Sequence, residues 1–507
     1  MLSHPNARLH HILNFHVAKT PDAIGWIDET GATTTFSQMQ EFVGQTAAWM
    51  RDAGVTAGDR VMVVGENCLE LLASMLATWH LDAWAMPVNA RLSAGEVDRL
   101  AEHADPKLIV FTSAISKEAT LHAERYQATT RNNVMYCVRP DAVAEKIHPE
   151  ATRQVAALMY TTGTTGNPKG VMLSHANLGW YAALTKEFRG LTPEDHTYCA
   201  LPTTHIYGLG SAFLGNMYAG NRMEFAPRFD PAAMLEAIER GVTVIPAVPA
   251  MYAHLLDHAE AQGMKNLHDR KLRYVMTGGA PLDPDWKRRV ESFLNLPLFN
   301  GYGMTECAPG ISSSKDMKVE TSAADISCGH PLPGLDVQLV PAPGKNELVD
   351  GVGEIIVKGP NIMLGYYKNA TETSSVMDEA GYFHTGDLGR FDEEGRLFVV
   401  GRCKELIIRS GFNVYPPEVE ATLTQHPAVT LAAVVGRPEV GGNEEVLAFV
   451  QKVPGVEVGE DELKKALATE LAPYKRPSRI VIADQLPASS TGKILKSKLI
   501  ETFADQL

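Results

Sequence analysis

"YTTGTTGNPKG", Tyr160 to Gly170, puts four threonines, three glycines and one lysine directly after the apolar run Val155–Met159. Such a stretch has little to pack. Glycines let backbone N–H groups come close to a ligand and threonines add short hydroxyl donors, so the segment is suited to an anion with many oxygens, above all a phosphate chain. No G-x-x-x-x-G-K-[ST] runs through Gly163, Gly166 or Lys169, which excludes a Walker A loop. The following GVMLSH reads as a strand, so no helix N-terminus stands ready for the anion. Composition alone leaves two readings open, a solvated surface loop and a mobile cover for phosphates.

The chain around this loop is large and acidic. Its 507 residues, 45% of them hydrophobic, can bury a large core and point to more than one domain. Forty-six Lys+Arg stand against 60 Asp+Glu, a formal charge of −14, so nucleic acid is not expected as a partner: binding a phosphate backbone needs a basic footprint. The six cysteines (Cys68, Cys137, Cys199, Cys307, Cys328, Cys403) form no CxxC pair and no Cys/His cluster, so neither a zinc site nor a disulfide framework is indicated and a reduced cytoplasm is the expected compartment. The first twenty residues lack a basic stretch followed by an apolar core, and nowhere do 18 apolar residues run together, so neither a targeting segment nor a membrane span is expected.

Apolar runs such as Arg60–Gly65, Lys107–Phe111 and Val242–Val248 alternate with amphipathic stretches such as Asp230–Glu239, which indicates α/β layering. After about residue 350 the texture changes to short strands and tight turns, with a hairpin turn at Asp392–Gly395. Beyond Gly401 the pattern reads helix Pro417–Gln425, strand Leu431–Val435, strand Val446–Val450, helix Asp461–Leu471 and strand Arg479–Ala483, a small α+β domain. The expectation is a large N-terminal α/β domain with layered sheets and a β-rich subdomain, residues 1–401, followed by a small mobile C-terminal domain, 402–507, with the junction in GRCKE, Gly401–Glu405.

The whole run YTTGTTGNPKG closely resembles the phosphate loop of the adenylate-forming superfamily, and six further matches follow in that family's order: TGGAP (Thr277–Pro281), NGYGMTE (Asn300–Glu306), HTGDLG (His384–Gly389), GRCKE, RSGFNVYPPEVE (Arg409–Glu420) and PASSTGK (Pro487–Lys493). Together they span roughly the last two thirds of the chain. The resemblance implies an ATP-dependent carboxylate–CoA ligase, with ATP, Mg²⁺ and CoA as cofactors and a small carboxylic acid as substrate. Such an enzyme lets a carboxylate attack the α-phosphate of ATP, releases pyrophosphate, and passes the acyl group of the acyl-adenylate to a thiol.

The resemblance also assigns roles. Thr161, Thr162, Gly163, Thr164, Thr165, Gly166 and Lys169 would cradle the phosphates; Lys493 would stabilise the charge that accumulates on the phosphoryl oxygens. Glu306 would hold Mg²⁺, a hard oxygen ligand for a hard cation, and Thr305 would donate to phosphate. Gly279, Ala280 and Pro281 would form one wall for adenine and Tyr302 the other, with Asn300, Gly301, Gly303 and Met304 around it. Asp387 would accept from the ribose hydroxyls, Arg402 would reach the ribose or phosphate side, and the strand carrying Phe398 and Val399 would lie alongside. Lys404 would be the hinge of a domain rotation between the half-reactions, and Gly411 would stand beside the pantetheine tunnel.

For the acyl group, TTHIYGLGSAFL (Thr203–Leu214) resembles the family segment with a gating histidine, here His205; Ile206, Tyr207, Gly208 and Ser211 would line one side of the pocket and Met276, Gly303, Met304 and Pro309 the other. HIY resembles the pocket of plant 4-coumarate ligases. Met276 stands where those ligases commonly carry a lysine, and Gly301 where malonate-activating relatives carry an arginine, so the expected acid is an aromatic (benzoate- or cinnamate-like) or medium-chain fatty monocarboxylate. VGGNEE, Val440–Glu445, lacks the tryptophan that many relatives stack on the CoA adenine. A stand-alone adenylation enzyme loading a carrier protein therefore stays open, as does an inactive nucleotide-binding protein. PASSTGK fits the context in which related synthetases are silenced by acetylation, which makes a protein acetyltransferase and deacetylase acting on Lys493 candidate partners; the oligomeric state, a homodimer included, is left open.

Overall fold

The computed structural model describes residues 2, 4–162, 168–268, 270–280, 282–314, 326–409, 412–438, 444–488 and 494–507. By its internal contacts the chain divides into two compact units, residues 1–336 with 357–383, and residues 337–356 with 384–507. The junction expected between 401 and 402 thus falls inside the second unit. Among the described residues no helix is long and apolar enough to cross a membrane.

Two large sheets organise the first unit. One is nine-stranded, and its centre is a parallel run in which Ile24–Ile27, Arg222–Phe225, His196–Cys199, Val244–Ala247, Tyr274–Gly278 and Leu298–Gly303 lie side by side. The other is eight-stranded and contains Arg60–Gly65, Trp84–Asn89, Leu108–Phe111 and the hairpin Val155–Thr162/Pro168–Ser174. Strands buried on both faces read as continuous apolar runs, and RVMVVG is buried at all six positions. Helices between the strands start where the sequence supplies a cap: the Asp230 carboxylate accepts from Ala232 N ahead of Pro231–Glu239, and Ser174 caps His175–Arg189 through a capping box.

The second unit ends in the α+β module expected from the sequence, with every element found. Helices Pro416–Thr424 and Glu460–Glu470 pack on a sheet of Val429–Pro438, Glu444–Lys452 and Arg479–Ala483. The third strand has the bounds read from the sequence, while the first two run longer, because their ends, Gly436–Pro438 and Glu444–Glu445, are polar or turn-like residues paired by register rather than by apolar content. The turn at Asp392–Gly395 joins strands Phe383–Phe391 and Leu397–Arg402, and the Asp392 carboxylate accepts from Glu394 N and Arg396 N.

Parallel pairing places functional segments along one edge. Thr277 lies opposite Asn300 and Gly278 opposite Gly301, so TGGAP and NGYGMTE leave the sheet at neighbouring carboxyl ends, where ligands of open α/β sheets bind. His196–Cys199, which leads to His205, runs in the same direction. Behind Gly303 the chain turns through the short helical segment Thr305–Cys307 and returns as Gly310–Ser313, and a Cβ at Gly303 would stand 2.0 Å from the Pro309 carbonyl oxygen. Gly303→Ala should therefore destabilise by about 1–3 kcal/mol through overpacking. Gly44→Ala, in the helix Phe36–Asp52 with nothing within 4 Å of its would-be Cβ, should gain about 0.5–1 kcal/mol. Thermal unfolding of both variants checks the pair, and equal midpoints would contradict the described turn.

Candidate active site

The loop that opened the sequence reading is held by a hairpin. Thr161 pairs with Lys169 and Thr162 with Pro168, and Gly163, Thr164, Thr165 and Gly166 lie outside the described residues. The strand Gly365–Tyr366 adds to the far side of this hairpin, opposite Met172 and Val171. Lys169 forms an ion pair with Glu372 and its Nζ lies 5.2 Å from the centre of the Tyr366 ring. The Tyr366 hydroxyl in turn donates to Glu306 Oε1 at 2.9 Å. A continuous polar path thus joins the lysine of the phosphate loop to the carboxylate expected to hold Mg²⁺. Burial, and then the neighbouring Glu306 charge, push the Tyr366 pKa well above its ordinary value, so the phenol keeps its proton and remains a donor.

Thr305 is buried beside the half-buried Glu306, whose backbone carbonyl accepts from Met363 N at 2.9 Å. Among the described residues no group of three or more His, Cys, Asp or Glu could hold a metal. A single positioned carboxylate fits Mg²⁺ that takes its remaining ligands from water and nucleotide phosphates, and does not fit an all-protein cage. Asn300 is buried and fixed by its amide donating to the Ser327 carbonyl at 3.2 Å. Gly279 has φ +83° and, with Ala280, is exposed just past the strand end; Pro281 lies outside the described residues.

The residues expected to line the acyl pocket lie largely on one buried segment and the strand ends near it. Tyr207–Leu214 is a π-helical segment buried throughout, and π-turns concentrate at functional sites. A Cβ on Gly208 would lie 2.1 Å from the Pro202 carbonyl oxygen, one on Gly210 2.9 Å from Pro309 Cδ, and one on Gly301 2.8 Å from Met276 Cε. Pro309 thus packs on the buried segment that carries Tyr207, Gly208 and Ser211, just after the buried Ile206, and Met276 packs on Gly301, with Gly303 and Met304 following on that strand end. His205 is exposed, and its Nδ1 accepts from Tyr207 N at 3.2 Å. Although the side chain reaches solvent, the protein atoms crowded around the ring thin its hydration and lower its pKa from the ordinary value, so near neutrality the ring is uncharged and carries its proton on Nε2.

In the second unit Asp387 and Arg402 face each other across neighbouring strands, with Arg402 Nε 3.2 Å from Asp387 Oδ1. Asp387 is buried, its N–H donates to Thr385 Oγ1 at 3.0 Å, and Thr385 donates to the Ile355 carbonyl at 2.7 Å. Val399 pairs with Gly389, and the Phe398 ring lies 4.1 Å below the Arg390 guanidinium. Lys404 is exposed in a single turn of 3₁₀-helix, Cys403–Glu405. Gly411 and Lys493 lie outside the described residues; of the neighbours of Lys493, Ala488 and Ile494 pair with each other.

Three participants, in two places, escape sequence reasoning. Tyr366 and Glu372 sit in GYYKNATET, whose residues suit a strand end and a helix start, and only the added strand brings them to Glu306 and Lys169. The other is Arg189, at the end of a helix, whose guanidinium reaches Ser211 and Met276.

Residues 13–367 match the model of the AMP-binding enzyme family, and residues 418–493 that of the AMP-binding enzyme C-terminal domain. Similar proteins include 4-coumarate–CoA ligase 3 of Oryza sativa subsp. japonica, 32% identical over 93% of this chain and 87% of the relative, and feruloyl-CoA synthase of Amycolatopsis sp, 33% identical over 93% and 94%. Among solved structures, ATP-bound MatB from Rhodopseudomonas palustris superposes with a TM-score of 0.83 at 29% identity, covering 99% of this chain and all of that one.

Tyr366→Phe should keep the fold and remove the hydroxyl that orients Glu306. A lost hydrogen bond to a charged group amounts to about 1.5–3 kcal/mol when buried, and half-burial reduces it. We expect pyrophosphate release to fall about 5- to 30-fold, with a raised Mg²⁺ requirement. Wild-type rates at limiting Mg²⁺ would remove the tyrosine from the site.

Proposed function

The chain belongs to the AMP-binding enzyme family and is an AMP-forming acyl-CoA ligase that uses ATP, and we propose that its substrate is an aromatic, cinnamate-like carboxylic acid. The observation that carries this reading is that relatives matching 93% of the chain are named for 4-coumarate and ferulate, both hydroxycinnamates. The buried lining proposed from Tyr207, Ser211, Met276 and Pro309 supports it, since a flat acid is well suited to such a pocket.

In the first half-reaction a carboxylate oxygen of the acid attacks the α-phosphorus and the bond to pyrophosphate breaks. The proposed role of Lys493 is to stabilise charge on the phosphoryl oxygens, with Thr305 donating its hydroxyl and the phosphate loop, Lys169 included, holding the β- and γ-phosphates. Lys169 must then exchange Glu372 for phosphate. Glu306, oriented by Tyr366, would hold Mg²⁺, which supplies charge neutralisation. His205, neutral with Nε2–H available, donates toward the acid's carboxylate. Asp387 and Arg402 take the ribose, while Gly279, Ala280, Pro281 and Tyr302 flank adenine. In the second half-reaction the CoA sulfur attacks the acyl carbon and AMP leaves. We propose that residues 402–507 turn about Lys404 between the steps, bringing Gly411 to the pantetheine, and that the enzyme works in the cytoplasm. Acetylation of Lys493 would remove the cation adenylation needs.

A panel of cinnamates, benzoates and C6–C12 fatty acids, with ATP and either CoA or a phosphopantetheinylated carrier protein, tests the reading. Thioester formation should be fastest with a cinnamate and CoA. Preference for the fatty acids refutes the substrate class, preference for the carrier protein refutes the acceptor, and no pyrophosphate with any acid refutes ligase activity. Lys493→Ala should slow adenylation by about 10²–10³-fold or more yet spare thioester formation from supplied acyl-adenylate. Lys404→Pro should do the reverse by fixing φ at the hinge.

A further inference from the structure

A buried cation without a counter-anion lies behind the acyl pocket. Arg189 is 4% exposed; its Nη1 donates to the Ser211 carbonyl at 2.9 Å, and its Nη2 donates to Ser211 Oγ and approaches Met276 Sδ at 3.2 Å. Among the described residues it makes no ion pair. The nearby Arg273 does have a carboxylate, since Asp195 pairs with it, and Arg273 adds further positive charge by donating to the Arg189 carbonyl at 3.4 Å. The other groups facing Arg189 cannot supply a negative charge near neutral pH. Burial raises the pKa of Tyr207, pushes that of Tyr274 up to about 12 and that of the Cys199 thiol up to about 12, in each case against the pull of Arg189. The Tyr207 hydroxyl is itself buried and has no hydrogen-bond partner among the described residues.

Removing an isolated charge from water is costly unless something inside pairs with it. Two fully neutral polar groups and one thioether do not. Ser211 and Met276 are residues assigned to the acyl pocket, and the Met276 methyl fills the space in front of Gly301. A ligand that reached past Met276 would meet both the guanidinium and the unsatisfied Tyr207 hydroxyl.

We propose that Arg189 is a specificity-determining residue that selects acids bearing a second oxygen function, a hydroxyl or a carboxylate, at the end remote from the reacting carboxylate. The proposal rests on the acyl-CoA ligase reading and sharpens it. A sequence comparison at positions 276 and 301 alone predicts an apolar tail; Arg189 restores from a helix end the charge that those positions lack.

The test measures kcat/KM for matched acids in the full-length enzyme with ATP and CoA: cinnamate, 4-hydroxycinnamate and 4-carboxycinnamate. Wild type should prefer one of the two substituted acids to cinnamate by about 10- to 100-fold, the range for a hydrogen bond to a charged group. The hydroxyl and carboxylate arms identify which oxygen is preferred. Arg189→Met should abolish that preference, through KM rather than kcat; Arg189→Lys should retain part of it. Wild-type preference for cinnamate overturns the proposal even if neither variant folds. So does an Arg189→Met enzyme that keeps the ratio within twofold while its thermal midpoint falls, which would make Arg189 only a prop for the π-helical turn. Failure of the ligase reading looks different, because then no acid of the set releases pyrophosphate.

Discussion

At Gly303 the chain passes so close to the Pro309 carbonyl that no side chain fits, and the geometry of the reacting edge follows from that contact. The backbone can fold back after Thr305–Cys307 only because position 303 has no Cβ, and the return strand Gly310–Ser313 then pairs with Leu298–Gly303. Thr305 and Glu306 are thereby held at the carboxyl end of a parallel strand, beside the segment Thr277–Ala280. The same turn presents Pro309 to the π-helical segment, where Gly210 must also lack a side chain. The residues proposed to face the nucleotide and the acyl group are thus tied to one backbone crossing, a way of holding groups in register that needs little side-chain adjustment.

Around this fixed edge the electrostatics are arranged by borrowed contacts. Lys169 and Glu306 are far apart in sequence, and the roles proposed for them toward phosphate are complementary. Tyr366 stands between them, offering its ring face to the lysine and its hydroxyl to the carboxylate. Burial keeps that phenol protonated, so it remains a donor to the carboxylate. Glu372 occupies Lys169 meanwhile. An ion pair that is partly solvated is weak enough to be exchanged for a phosphate, which suits a loop that must grip and release a nucleotide in every turnover.

Much of this was legible in the chain. The alternating apolar runs identified the layered sheets because strands covered on both faces need continuous apolar residues, as in Arg60–Gly65. Two helices and three strands of the C-terminal module were legible from their apolar spacing, whereas the helix Lys496–Thr502, with no capping side chain, was not. Strand ends were not, because Gly436–Pro438 pair through register set by their neighbours and carry no local signal. The cross-strand pair of Asp387 with Arg402 was accessible only in part: both residues stood in recognisable motifs, but their opposition depends on the hairpin closing at Asp392–Gly395.

The sequence by itself determined the layered α/β class, because that rests on apolar patterning within a dozen residues, and it carried the ordered motifs by which the chain resembles its family. Tertiary structure alone decided what stands next to what. Tyr366 meets Glu306 because a two-residue strand adds to the phosphate-loop hairpin. Arg189 meets Ser211 and Met276 because a helix ends against a π-helical turn and a strand that are 22 and 87 residues further on. Such encounters leave no trace in local sequence, since the free energy that fixes them comes from burying whole faces of sheet and helix, and the charged group is carried to its place by the packing of its neighbours.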